Sequence, residues 1–115
     1  MPNDCWNTIT ITCYTVEEMN NFVSNELQSQ EKKYHPNIVI MKKKEKGIKF
    51  SQTTAWNPDY KWLESLVAKY PGAWIKNEWY EEGGFAGVWV GSVKGTKFME
   101  WEDLCIDAKY EIFDK

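Results

Sequence analysis

No arginine occurs among the 115 residues, so all 14 basic side chains are lysine. Arginine supplies the rigid two-pronged donor that reads phosphates and base edges. Its absence argues against a specific nucleic-acid partner. Histidine occurs once, at His35, in a polar stretch with nothing placed to orient it as a general base. The three cysteines (Cys5, Cys13 and Cys105) are odd in number and lack metal-ligand spacing. They read as buried free thiols, and neither a metal nor a cofactor is expected. Three scattered thiols also fall short of the four ligands an iron–sulfur cluster needs. No apolar run approaches the ~20 residues of a membrane span. The start, Met1-Pro2-Asn3-Asp4, has no basic region leading into an apolar one, which predicts no signal peptide and a cytoplasmic location.

Large rings, by contrast, are abundant: seven Trp, six Tyr and five Phe. They are ample for a packed interior, and the length suits one domain, 1–115. Net charge is −3, unevenly spread. Residues 1–30 carry no lysine, whereas 31–50 hold Lys32, Lys33, Lys42, Lys43, Lys44, Lys46 and Lys49. The run Lys42 to Lys46 reads as a solvated hairpin tip that blunts an edge.

Asn7 to Tyr14 alternates as a half-buried strand, with Ile9, Ile11 and Cys13 on one side and Thr8, Thr10 and Thr12 on the other. Thr15 to Glu18 forms a capping box, and Val16, Met19, Val23 and Leu27 continue as a helix to about Ser29. After a polar connector come a strand at Ile38–Met41, a charged turn and a returning strand at Ile48–Trp56. Asn57-Pro58 is expected to cap a second helix that buries Trp62, Leu63, Leu66, Val67 and Tyr70 and stops at Pro71-Gly72. Ala73–Glu82 and Phe85–Val93 read as strands around a Gly83-Gly84 turn. Lys94-Gly95 then turns into Lys97–Trp101. Beyond Glu102 the pattern fits strand and helix equally.

The order strand, helix, strand, strand, helix, strand predicts an α+β ferredoxin-like split βαβ sandwich. Its antiparallel sheet would carry two helices on one face. Residues 1–93 would form the core and 94–115 an appended C-terminal hairpin and tail.

Three stretches carry a family resemblance. Met1-Pro2-Asn3-Asp4-Cys5-Trp6-Asn7 is similar to the opening Met-Pro-Asn-Trp-Cys of the YubB-type ferredoxin-like family, with Asp4 in place of its Trp. Phe50 to Pro58 resembles that family's Phe-x-Thr-x-Trp-Ser-Pro stretch, with Asn57 in place of Ser. Leu66, Tyr70-Pro71 and Tyr80-Glu81-Glu82-Gly83-x-Phe85-x-Gly87 follow in family order. The resemblance covers most of residues 1–93. It implies a protein of a plasmid, phage or large virus, in a family whose function is generally unknown.

Glu81 and Glu82, with Glu78 nearby, could work as an acid/base pair. Adjacent strand residues point to opposite faces, however, and carboxylates beside a Gly-Gly turn are ordinary. The glycines of 83–87 join two strands and so lack the helix N-terminus of a phosphate site. An RNA-recognition surface would need stacking rings on the open faces of strands 1 and 3. Thr8, Thr10 and Thr12, and Lys49, Ser51 and Thr53, supply none.

Both faces of the strand after helix 2 are apolar, with Ile75 and Trp79 on one side and Trp74 and Tyr80 on the other. The second face needs a cover: the tail (Trp101, Leu104, Ile106, Tyr110, Phe113), a second copy in a homodimer, or a partner. The expected function is a non-enzymatic domain binding a host or viral protein through an aromatic edge near Trp56, Trp74, Tyr80 and Trp89. Glu81 and Glu82 are further candidates at the same edge. A small-ligand binder stacking a nucleotide base on Trp with Lys on its phosphate is the alternative. A carboxylate-dependent enzyme is a weaker one.

Overall fold

The computed structural model describes residues 3–101; the tail after Trp101, including Cys105, Leu104, Ile106, Tyr110 and Phe113, lies outside the described residues. Six strands follow the chain: β1 (Asp4–Thr12), β2 (Ile38–Lys43), β3 (Gly47–Ala55), β4 (Trp74–Glu81), β5 (Ala86–Ser92) and β6 (Gly95–Trp101). Between them stand α1 (Val16–Phe22) and α2 (Tyr60–Lys69).

The expected element order is present, but the two-helix ferredoxin-like sandwich is not what forms. All six strands join one antiparallel sheet in the order β2-β3-β1-β4-β5-β6. That sheet curls into a half-barrel, and the helices are short accessories to it. The physical reason lies on β5. Its inner face reads Gly87, Trp89, Gly91, large between small. A Cβ on Gly87 would sit 2.7 Å from the Trp79 indole, and one on Gly91 would strike the Trp89 ring. Without those Cβ atoms the two indoles pack close against the strand, and interior glycine lets a strand bend.

The helices pack over this same concave face, with α2 lying against β4 and β5. Met19, Phe22 and Leu27 from the first helical segment, and Leu63 and Leu66 from α2, pack on Ile9, Ile11, Phe50 and Ile75. Each such burial stabilises by about 1.5–3 kcal/mol. Phe22 meets Tyr70 edge-on, with centroids 5.5 Å apart.

Several boundaries differ from the sequence reading. The first helix is regular only to Phe22, then runs through a π-helical turn over Val23–Leu27 and stops short of Ser29. Thr15 caps it, its hydroxyl accepting from the Glu18 N–H at 3.1 Å. Asp59, not Asn57, caps α2, its carboxylate accepting from the Trp62 N–H at 3.1 Å. Asn57 is drawn back instead: its N–H donates to the Ala55 carbonyl and its carbonyl accepts from the Thr54 hydroxyl. β1 begins at Asp4, which brings Cys5 and Asn7 onto the inner face and Trp6 onto the other.

Candidate functional site

β4 is an interior strand between β1 and β5, so the expected aromatic edge is a face of the sheet and not its margin. The six candidates fall into four places. Trp89 leaves the surface altogether: it is 2% exposed on the concave side. Trp74 and Tyr80 stand on the open face, which no described helix covers. Trp56 and Glu81 meet in a cleft at one end of the sheet. Glu82 is exposed in the turn that follows β4.

The open face gains a ring that the sequence reading missed. Trp6 stacks on Tyr80 with centroids 5.7 Å apart and planes 13° from parallel. Strand register makes them direct neighbours, because Trp6 pairs with Tyr80 and Tyr80 with Ala86. The next cross-strand row is Thr8, Glu78, Val88 and Met99. Val39, on the same face, and Met41 are exposed apolar side chains of β2. Strand 1 therefore does present a stacking ring, beside Thr8, Thr10 and Thr12. The signal is Trp6 in phase with those threonines, one residue ahead of the alternation that begins at Asn7. Lys76 and Glu78 pair on this face at 3.3 Å, an exposed contact worth about 0–1 kcal/mol.

At the end of the sheet, Asn3, Trp56, Asn57, Glu81, Gly83 and Phe85 line an open cleft of about 540 Å³. Three stretches far apart in the sequence converge here, contributing Asn3, then Trp56 and Asn57, then Glu81, Gly83 and Phe85. Trp56 has a φ of +68°, uncommon for a bulky residue and a form of strain that concentrates at functional sites. Its N–H is held by the Asn3 carbonyl at 2.8 Å. Asn3 also donates from Nδ2 to Glu81 Oε1 at 2.6 Å.

A buried polar ladder runs behind this cleft. Asn7 Nδ2 donates to the Gln52 carbonyl and the Thr54 hydroxyl, both at 2.9 Å. Asn77 Nδ2 donates to Asn7 Oδ1 at 3.0 Å, which ties three strands together at side-chain level. Burial pushes the Cys5 thiol up, and the Glu81 carboxylate adds to the effect. A thiol so raised is a weak nucleophile at neutral pH. Burial and the Glu100 carboxylate, 3.1 Å from its hydroxyl, push Tyr60 up in the same way.

Glu78 lies on the open face and Glu81 on the concave one, so these carboxylates do not converge. Among the described residues no cluster of three or more His, Cys, Asp or Glu could hold a metal ion. No described helix is long and apolar enough to cross a membrane. No protein-family model, curated protein or solved structure matches this chain.

Proposed function

We propose that the chain is a non-enzymatic accessory protein, of the kind carried by viruses, phages and plasmids, acting in the host cytoplasm. It would bind a host or viral protein through the open face of its sheet. The stacked Trp6–Tyr80 pair carries this reading. These rings are 44% and 38% exposed, rigid, and flanked by Val88 and Met99 in the next row. Aromatic and methionine side chains are the enriched anchors of protein interfaces, and a contiguous apolar patch on an otherwise charged chain marks such a site. Co-purification of the tagged full chain from its host, beside the Trp6→Ser/Tyr80→Ser double variant, tests it. A partner retained by the parent chain and lost by an equally stable double variant supports the proposal. Equal recovery by both contradicts it.

One observation favours the small-ligand alternative. At the opposite end of the sheet, Tyr14, Trp74 and Lys94 share a cavity of about 310 Å³ with Gly72 and Ser92. Rings to stack a base and a lysine for a phosphate are the parts that reading requires. Titration with AMP, followed at the Lys94 and Gly95 amides, tests it. Absence of a saturable shift would dispose of this alternative.

A further inference from the structure

The cleft at the Trp56 end is built around a carboxylate that has no cation beside it among the described residues. Glu81 is only 4% exposed, and burying a charge is unfavourable unless it is paired. Among the described residues its side chain has one hydrogen-bond partner, Asn3, and no ion pair. Asn3 occupies Oε1, Oε2 has no hydrogen-bond partner among the described residues, and Glu81 lines the cleft. The segments that line the opening, 3–4, 56–59 and 81–86, carry Asp4, Asp59, Glu81 and Glu82 and no lysine. Space is reserved for the carboxylate as well, because a Cβ on Gly83 would sit 2.8 Å from Oε2 and 3.0 Å from Oε1. Trp56 and Phe85 wall the cleft while 53% and 45% exposed. Neither ring is there to fill a core, and the backbone holding Trp56 is strained.

Aromatic faces attract cations through their quadrupole, and a desolvated carboxylate supplies the counter-charge. We infer that this cleft binds a primary ammonium group, that of a lysine side chain on a partner protein, between Trp56 and Phe85 and against Glu81 Oε2. Ammonium is favoured over guanidinium because a guanidinium fork uses both carboxylate oxygens, and Asn3 already holds one. This surface is separate from the open face, and the inference stands or falls independently of it.

The test is a titration of the ¹⁵N-labelled full chain with Nα-acetyl-lysine methylamide, followed by amide and indole N–H shifts. Saturable shifts are expected at the Trp56 indole and at Gly83, Gly84 and Phe85. The arginine analogue should bind more weakly and the uncharged norleucine analogue should leave these signals in place. Added salt should weaken the lysine probe. Glu81→Gln keeps the acceptor for Asn3 and should lower affinity about tenfold or more, the loss of one charge-assisted bond. Phe85→Ala removes an exposed ring without touching the core and should weaken binding too. No response to the lysine probe, an equal response to norleucine, or undiminished binding by Glu81→Gln would overturn the inference. An arginine analogue binding as tightly as lysine would overturn the choice of ammonium.

Discussion

The two faces of this sheet use the same residue types for opposite ends. On β4, Trp79 turns inward over Gly87 while its neighbour Tyr80 turns outward onto Trp6. The inner indoles are sealed, and the outer rings are stacked but left open. A strand with rings on both faces normally lies between two layers. Here one layer is α2 together with the sheet's own curl, and the other side is exposed in the described residues. The inner face should therefore govern stability and the outer face recognition.

Substitutions can break or sharpen that division. The largest effect belongs to Trp89→Ala, which leaves a void over Gly91 in the concave face. Urea unfolding should register a loss of about 3–5 kcal/mol. A cost below about 1 kcal/mol would mean that the inner wall is less packed than described. Next is Asn7→Ala, which strands the Asn77 amide and the Gln52 carbonyl in the interior. Its cost should be about 1–3 kcal/mol, the penalty of unpaired buried polar groups.

Cys13, also on the inner side, adds a pH signature. Burial, reinforced by Glu18, raises its thiol to about 11 from 9.0. Above pH 9 the unfolded chain releases this proton while the folded chain retains it. The contribution is thus full below pH 9 and is lost as pH rises toward 11, about 2–3 kcal/mol in all. Cys13→Ser should flatten the fall in stability across that window, as read by unfolding at pH 8.5 and 10.5. The outer face should behave differently. Trp6→Ala should cost only about 1 kcal/mol, the worth of one stacked pair. Trp74→Ala, half exposed at the far end, should stay within about 0.5 kcal/mol. A large loss at either residue would erase the distinction between the faces.

Much of this was legible in residue order. Alternation placed Ile9 and Ile11 opposite the threonines, and Trp79 opposite Tyr80, because side-chain period is fixed by backbone geometry. Turns at Gly83-Gly84 and Lys94-Gly95 stand where their glycines predict. The curl was not legible, since it depends on Gly87 and Gly91 meeting indoles from two different strands. Treating β4 as an edge placed Trp89 with Trp74 and Tyr80, although strand phase alone cannot say which face a bend encloses. The cleft was missed because Asn3, Trp56 and Glu81 are far apart in sequence and meet only through the pairing of β1 with β3 and β4. Because β6 runs to Trp101, a chain shortened to test the tail as a cover should end at Trp101.

Hydroxyl-radical footprinting of the full-length monomer tests the central division most directly. The account predicts rapid modification at Trp6, Trp74, Tyr80 and Met99, with Trp79 and Trp89 protected. Protection of Trp6 and Tyr80 to the level of Trp89 in the unpartnered monomer would contradict it, because the outer face would then already be covered.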